Sequence, residues 1–424
     1  MSLSDVARRL ERVTRGLSLA SRQLLALDTN PVPVDWKHIT KVDPEGEKQL
    51  PLCFPLYLSH TSAVSVGGSR DVTDRNTEET FALLDYAPVP AFHEPSAADH
   101  VTEKTRDHAE FLAVPEVLNG HSTSLVGTLG EGIEYVRTDL GPSMIADKIG
   151  FSLDDVLGGR LGNFAAAYML EDAVFEAYII MNPDSAAARE ARVTDDDLLS
   201  PQEAKERALA AEYHLESEVI YLEYSGTFGG EEAVDILEAI DEGVTWSRIW
   251  YGGGLDSRAN AEAVLDAGAD AVIVGDIFHD IAAEEAALFE QARKHFDAGV
   301  DRDAIDEWIS ETVDVEETSA ARYLSTIPTV PDPDSRAARY LATGVEMALA
   351  LDALAAELDD PTATEIQQTL RNGTVPGEAA FADVLADDAD ASALARSLSR
   401  NLLAERFEYE TEDEFSPHHL GVTL

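Results

Sequence analysis

The sequence predicts an α/β protein built as a closed (βα)8 barrel of the TIM type, with an N-terminal helix and a C-terminal helical appendage. The chain has 424 residues, 45% of them hydrophobic, and eight short apolar segments alternate with helical patterns over residues 31–299. Strands that are apolar along their whole length are typical of a parallel sheet covered on both faces. Eight βα units in one run favour a closed barrel over an open sheet.

The predicted elements follow one another in a regular order. An amphipathic pattern at 4–28 predicts the first helix, which Asn30-Pro31-Val32-Pro33 ends. The predicted strands are 36–42, 63–67, 88–92, 111–118, 176–182, 218–224, 248–252 and 271–275. Helical patterns between them lie at 74–86, 201–216, 231–242, 258–267 and 282–296.

The link between the fourth and fifth predicted strands, roughly 120–175, is unusually long and contains a helical pattern at 163–174. Long βα loops at the carboxyl face of a barrel often form lids or substrate walls. An inert insertion is the alternative interpretation of the same segment.

Beyond residue 300 the chain changes character and no strand-like segments remain. Patterns rich in Ala, Asp and Glu predict helices at 302–311, 335–358, 362–372, 377–386 and 390–405. Pro328, Pro331 and Pro333 mark a linker or hinge. We therefore divide the chain into an extension (1–30), a catalytic barrel (31–299) and an appendage of unassigned role (300–424), which ends in a polar, acidic tail at 406–424.

The charge balance is extreme, with 81 acidic against 31 basic residues and a net charge of −50. A diffuse acidic coat with little lysine is typical of proteins from salt-loving microbes, and a surface that binds a cationic protein is the alternative. Because the sequence contains no basic patch, we expect no binding to nucleic acid.

We expect the purified protein to need molar salt. At ~1 M salt the Debye length is only about 3 Å, so repulsion among the carboxylates is screened. The melting temperature should therefore rise between dilute buffer and molar KCl, and an unchanged value would contradict this interpretation.

The sequence also predicts the compartment. Cys53 is the single cysteine, which excludes an internal disulfide and fits a reducing cytosol. No stretch of 18 apolar residues occurs, and the amino end has no apolar core of signal-peptide length. We therefore expect a cytoplasmic protein.

Glycines close two consecutive predicted strands. Trp250-Tyr251-Gly252-Gly253-Gly254 ends the seventh, and Gly275 followed by Asp276 ends the eighth. Without a Cβ atom the backbone can approach an anion closely and point N–H groups at it. Since barrel enzymes often bind phosphate after strands 7 and 8, these glycines predict a phosphate cradle.

Polar residues close three other strands. Lys41 and Asp43 share one side of the first strand, Ser69 follows the second, and Glu223 and Ser225 share one face of the sixth. Lysine suits an anionic oxygen, and aspartate suits Mg²⁺. The structural alternatives are an aspartate that caps a turn and a glutamate that pairs with a core arginine.

These segments together resemble a known family. The runs are WKHITKVDP (36–44), VGGS (66–69), YIIMNPDS (178–185), YLEYSG (221–226), YGGGL (251–255) and GADAVIVGD (268–276). Their order and spacing are similar to those of the prenylglyceryl phosphate synthases, which include archaeal geranylgeranylglyceryl phosphate synthase, over approximately 33–297. Each run is weak alone, but the ordered set is specific.

The resemblance implies transfer of a prenyl group, geranylgeranyl first among the candidates, from a prenyl diphosphate to the C3 hydroxyl of sn-glycerol 1-phosphate, with Mg²⁺. It implies that Asp43 and Ser69 serve the metal and the diphosphate. The residues implied to hold the glycerol phosphate are Lys41, Tyr221, Leu222, Glu223, Tyr224, Ser225, Gly226, Gly253, Gly254, Gly275 and Asp276. Because family members usually have Asn where Asp276 stands, a main-chain contact is the alternative there.

Two side chains carry the implied chemistry. Asp43 places the ion that neutralises the diphosphate, and Glu223 is the candidate general base for the glycerol hydroxyl. We expect the prenyl tail to run from the barrel mouth over the 120–175 link. The expected partners also include a transient membrane-surface contact and a homodimer, to which the helices at 4–28 and 300–405 are candidates to contribute.

Two other functions remain open at this stage. One is a barrel enzyme that acts on another small phosphorylated metabolite, for which Lys41 is the sole candidate Schiff-base lysine. The other is a barrel scaffold that carries a C-terminal binding module. A deep apolar groove beside the phosphate site favours the lipid enzyme, whereas a closed polar pocket favours the first alternative.

Overall fold

The fold comes from a computed structural model of the chain. It describes residues 27–68, 70–121, 128–140, 160–297, 299–358, 361–373, 375–384, 388–409 and 419–424. Most of the predicted helix at 4–28, much of the 120–175 link and Ser69 lie outside the described residues. Within them, no helix combines the length and apolar character needed to cross a membrane.

Eight parallel strands close into a barrel in sequence order, with β8 pairing back to β1. The strands are β1 (His38–Val42), β2 (Ala63–Val66), β3 (Ala91–His93), β4 (Leu112–Val117), β5 (Ala173–Ile180), β6 (Val219–Glu223), β7 (Arg248–Gly252) and β8 (Ala271–Val274). Each lies within or overlaps a predicted strand, so the predicted barrel is confirmed.

Helices separate most of the strands and make up most of the chain after residue 300. In the described residues they are α1 (Phe54–Leu58), α2 (Asp74–Leu84), α3 (Glu103–His108), α4 (Thr128–Tyr135), α5 (Arg160–Glu171), α6 (Ala186–Ala191), α7 (Pro201–Ala210), α8 (Gly230–Asp241), α9 (Arg258–Asp266), α10 (Asp276–His295), α11 (Arg302–Thr312), α12 (Ser319–Ser325), α13 (Pro333–Glu357), α14 (Ala363–Asn372), α15 (Glu378–Ala382) and α16 (Asp388–Arg406). Most of these helices follow an N-cap residue of a favoured type, such as Ser, Thr, Asp or Gly. Ser200, for example, caps α7 and forms a capping box with Glu203.

The barrel interior is apolar at its amino-terminal end and polar at its carboxyl end. Trp36 stacks on Phe92 and Phe111, and Phe92 contacts Trp250, so large rings fill the lower barrel. Since side chains alternate along a strand, the next inward position above Ile39 is Lys41. The packed lower layer thus supports the polar groups above it.

The appendage packs directly on the barrel. Behind β1 the βα link holds only the five-residue helix α1, and α12 fills the space beside it. Tyr323 of α12 lies 2.6 Å from the Thr40 hydroxyl, and Thr326 lies 3.0 Å from Nε2 of His38. The sequence analysis missed α12, which completes the outer layer of the barrel at this strand.

The end of the chain also differs from the predicted polar tail. Leu420 is fully buried and forms an isolated parallel β-bridge with Leu50, and Val422 is buried beside it. Within the tail predicted as polar, Leu420 and Val422 therefore belong to the core.

A buried acid lies where the barrel meets the appendage. Oε2 of Glu285 in α10 accepts the Leu52 N–H at 2.6 Å, and the carboxyl also lies against Gly344 of α13. Burial raises the pKa of Glu285 to about 8, although main-chain N–H groups of Leu52 and Cys53 oppose the shift. The folded protein therefore holds a proton here that the unfolded chain releases near its ordinary pKa.

We predict that Glu285→Gln flattens the dependence of stability on pH. Because the pKa of Glu285 is raised in the folded protein, its contribution to stability is complete below the pKa of the unfolded chain and is lost as the pH rises towards 8. The glutamine amide does not titrate, so the variant lacks this pH dependence. The wild-type free energy of unfolding, relative to the variant's, should fall by about 4 kcal/mol between pH 4.5 and pH 8. Denaturant unfolding at both pH values measures this difference, and Glu290→Gln, on the exposed side of α10, is the control. If the stability of wild type and of Glu285→Gln changed equally with pH, the prediction would be wrong.

Candidate active site

A cavity of about 1460 Å³ opens at the carboxyl ends of the strands. The residues predicted from sequence that line it are Lys41, Asp43, Tyr221, Glu223, Ser225, Gly226, Gly253, Gly254, Gly275 and Asp276. The side chains of Leu222 and Tyr224 instead lie in the outer core between the sheet and the helices. Those two residues therefore offer a ligand only their main chain.

The glycines after β7 form a tight backbone cradle. Gly253 and Gly254 have φ of 153° and 51°, in the region that favours glycine. A Cβ on Gly254 would collide with the main chain of Thr227 and Phe228, and one on Gly253 with Tyr224. The loops after β6 and β7 thus pack too closely for any side chain at these two glycines.

Helix α10 begins directly after β8 and supplies the second half of the cradle. Gly275, Asp276 and Ile277 line the cavity at its first turn. The N–H groups and dipole of a 20-residue helix favour an anion there. The Asp276 carboxylate is largely exposed and lies 2.5 Å from Nζ of Lys48, so its charge is paired away from the main-chain N–H groups.

A buried carboxylate, Glu94, holds Lys41 in place. Lys41 Nζ lies 2.9 Å from Oε1 of Glu94, and Glu94 also accepts hydrogen bonds from Ser65 at 2.9 Å and from Tyr178. Burial alone would lower the pKa of Lys41, but the carboxylates of Glu94 and Asp43 more than offset it and raise the pKa. Lys41 is therefore a fixed cation at the rim of the interior.

The sequence analysis missed Glu94. It follows the three-residue strand β3, and its partner Lys41 is 53 positions away along the chain. A second missed carboxyl, Glu176 of β5, lies deeper in the barrel, where burial and then the charge of Glu94 raise its pKa well above the ordinary value. Lys41 therefore faces two buried carboxyl groups, of which Glu94 is its direct hydrogen-bond partner.

Glu223 combines burial with an available oxygen. It is 3% exposed, lines the cavity, and its Oε2 accepts no hydrogen bond from the described residues. Burial raises the pKa of Glu223, while hydrogen bonds from Ser225 and the charge of Lys41 oppose the shift. A desolvated carboxylate with a free oxygen suits a general base.

Asp43 fits a role as a magnesium ligand. Burial raises its pKa to about 6, and the nearest cation, Lys48, is 3.7 Å from Oδ2, so the ionised carboxylate is only partly compensated. No group of three acidic, His or Cys residues in the described part of the chain is placed to hold a metal alone. Mg²⁺ commonly takes one or two carboxylates plus substrate phosphates, and Asp43 can supply the protein ligand of such a site.

The far end of the cavity is apolar. Its walls come from β4, from α4 and α5 of the long link, and from the turn at 136–140. The apolar lining residues there include Val101, Leu112, Val114, Leu129, Ile133, Val136, Ala166, Met169 and Leu170. The cavity therefore joins the glycine-lined end to an apolar groove, part of whose wall comes from the described residues of the 120–175 link.

Comparison with known proteins identifies the family. The model of the PcrB family matches residues 33–293, which is more than half of the chain. The chain belongs to the PcrB family. The match ends close to the end of α10, so the helices after residue 300 lie outside it.

Two curated relatives of this PcrB-family chain carry the same name. Geranylgeranylglyceryl phosphate synthase of Methanocella arvoryzae is 30% identical over 247 residues, 58% of this chain and 92% of the relative. The enzyme of the same name from Haloquadratum walsbyi is 31% identical over 251 residues, 58% of this chain and 88% of the relative. Together they confirm the family resemblance seen in the motifs.

Solved structures with a similar fold include (S)-3-O-geranylgeranylglyceryl phosphate synthase from Thermoplasma acidophilum in complex with sn-glycerol 1-phosphate. It matches with a TM-score of 0.41 and 20% identity, over 57% of this chain and 86% of the other. The Thermoplasma volcanium enzyme matches with a TM-score of 0.40 and 18% identity, over 56% of this chain and 84% of the other.

Proposed function

We propose that the protein transfers a prenyl group, geranylgeranyl first among the candidates, from its diphosphate to the C3 hydroxyl of sn-glycerol 1-phosphate. The observation that carries this proposal is the single cavity that connects a main-chain phosphate cradle to an apolar groove. A headgroup with a phosphate fits one end and a long hydrocarbon fits the other. The name of the two relatives, geranylgeranylglyceryl phosphate synthase, agrees with a product that has a glycerol phosphate headgroup and a long hydrocarbon chain.

At the headgroup end of the cavity, main-chain N–H groups and one lysine cation bind the glycerol phosphate. Gly253, Gly254 and the first turn of α10 present N–H groups to the phosphate of glycerol phosphate. Lys41, fixed by Glu94, adds a positive charge at the same mouth. These contacts hold the glycerol hydroxyls towards Glu223, the last residue of β6, and Ser225, which follows it.

The reaction needs one proton transfer and one substitution. The C3 oxygen of glycerol phosphate attacks the first carbon of the prenyl chain, that carbon's bond to the diphosphate oxygen breaks, and diphosphate leaves with the bonding electrons. Glu223 takes the hydroxyl proton at Oε2. The groove around Met169 and Val136 receives the hydrocarbon chain that follows the allylic carbon.

Asp43, together with the substrate phosphates, would hold Mg²⁺, and the ion would neutralise negative charge on the departing diphosphate. This chain's own contribution at that end is the carboxylate of Asp43, oriented by a loop that Lys48 and His279 fix. His279 accepts the Asp43 N–H at 3.0 Å and bonds the Gln49 carbonyl at 2.9 Å through its other nitrogen. Because one nitrogen accepts and the other donates, the ring is neutral.

The alternative functions fit less well. An aldolase needs a neutral lysine, but Lys41 is ion-paired with its pKa raised. A closed polar pocket is also absent from the strand ends that the structure describes, where the cavity is open to an apolar groove. A vestigial barrel would not be expected to retain a buried base, a fixed cation and an intact cradle together.

The test is product formation from sn-glycerol 1-phosphate with a series of prenyl diphosphates of increasing length, with Mg²⁺ and at molar salt. We expect an ether product and equimolar diphosphate, with one preferred chain length set by the groove. No transfer with any length would refute the proposal. Binding of other small phosphorylated metabolites in the same assay buffer would then favour the alternative barrel enzyme.

A further inference from the structure

The last residues of the chain bind the loop that carries Asp43. The Leu50 N–H donates to the His419 carbonyl at 2.7 Å, and the Gly421 N–H donates to the Leu50 carbonyl at 2.9 Å. This pairing is the parallel bridge between Leu50 and Leu420. Residues 419–422, called the terminal strand below although only Leu420 forms a β-bridge, thus lie beside the loop at 43–53, nearly 370 positions away along the chain.

The terminal strand is itself firmly seated. Leu420 and Val422 are buried in the core that barrel and appendage share. A Cβ on Gly421 would lie only 2.8–2.9 Å from Ala282 of α10, so the backbone passes directly over that helix. His419 is buried and pairs with Glu79 of α2 at 3.3 Å. The strand is therefore held by two barrel helices while it holds the loop.

The loop at 43–53 is held at other points as well, and Leu50, Leu52 and Cys53 are themselves buried in the core. His279 fixes Asp43 and Gln49, Lys48 reaches Asp276, and Glu285 accepts the N–H of Leu52. Leu50 makes both of its main-chain hydrogen bonds to the terminal strand, while Pro51 accepts the Phe54 N–H at 3.0 Å. The strand therefore contacts the loop two residues after Lys48.

We propose that the terminal strand, residues 419–422, positions the loop that carries Asp43 and Lys48 for binding the diphosphate end of the prenyl substrate. The inference rests on the proposed function, and it assigns a catalytic task to a part of the chain outside the family match. The strand acts through the loop and touches no substrate, so its residues are positioning residues. The glycines of the glycerol phosphate cradle lie on other loops, after β7 and β8, so loss of the strand should affect the diphosphate end more than the cradle.

The experiment compares full-length protein with three variants at molar salt. One chain ends at His418 and lacks the terminal strand, and a matched control ends at Val422 and keeps both hydrogen bonds to Leu50. The third, Leu420→Ala, keeps the backbone but removes the buried anchor. Two readouts are taken: steady-state constants for both substrates, and amide hydrogen exchange of residues 43–53 and of the barrel strands.

For the chain ending at His418 we expect kcat/KM for prenyl diphosphate to fall at least about tenfold, while KM for glycerol phosphate stays within about twofold. Amides of 43–53 should exchange faster, and those of the barrel strands should not. Leu420→Ala should change in the same direction but less, and the chain ending at Val422 should match full length.

Two results would overturn the proposal. The first is unchanged exchange at 43–53 with unchanged kinetics in the chain ending at His418. The second is faster amide exchange throughout the barrel together with an equal loss of kcat/KM for both substrates. That result would show that the terminal strand stabilises the whole fold and does not position the loop. If the full-length protein transfers no prenyl group, the proposed function fails, and the exchange data still decide whether the strand orders the loop.

Discussion

Glu223→Gln should abolish most prenyl transfer while leaving the protein folded. Glutamine has nearly the same shape, so the packing of β6 and the hydrogen bond from the Met181 N–H to the Glu223 carbonyl are retained. What is lost is the carboxylate of Glu223, the proposed acceptor of the hydroxyl proton. Glu223 lines the cavity, and its buried Oε2 has no hydrogen-bond partner among the described residues. Loss of a general base typically costs about a hundredfold to ten-thousandfold in kcat.

The measurement is kcat and KM for both substrates under saturating Mg²⁺. KM for glycerol phosphate should change much less than kcat, because the cradle glycines and Lys41 still bind the phosphate. Glu116→Gln is the matched control: Glu116 lies on β4 but is not among the residues lining the cavity, so this variant should retain full activity. A Glu223→Gln enzyme within threefold of wild type would remove Glu223 from the mechanism.

The barrel could be predicted because its signals are local. Each strand is a short apolar run, and the glycines of the cradle occur where strand ends require close backbone approach. The predicted helix at 282–296 begins at Asp276 instead, because the polar and aromatic residues 276–281 hide the helical period that follows β8.

The partners of the site were harder to predict because they depend on pairing across the barrel. Nothing near Glu94 in sequence says that it faces Lys41; only the closure of the sheet brings them together. The same is true of α12, a seven-residue segment too short to show periodicity, and of the terminal strand, whose partner Leu50 precedes it by most of the chain. Leu222 and Tyr224 belong to the same motif as Tyr221 and Glu223, but alternation along the strand places their side chains on the outer face, so only their main chain faces the cavity.

Asp43→Asn should cost at least about a hundredfold in prenyl transfer, because charge neutralisation of the leaving diphosphate is worth several kcal/mol. The amide keeps the size of the side chain, and the main-chain bond from the Asp43 N–H to His279 does not involve the carboxylate. Since burial already raises the pKa of Asp43 to about 6, removing its charge should not destabilise the fold. The loss is therefore expected in catalysis and not in the melting temperature.

The dependence on Mg²⁺ concentration decides the role of Asp43. In the wild type, activity should saturate with added Mg²⁺, whereas the Asp43→Asn enzyme should need much more of the ion and still not recover the wild-type rate. Glu47→Gln changes an exposed carboxylate on the same loop that does not line the cavity, and should behave as wild type. Binding of glycerol phosphate, measured by calorimetry, should be equal in all three proteins. An Asp43→Asn enzyme that turns over with an unaltered Mg²⁺ response would show that the ion, if it is used, is held elsewhere.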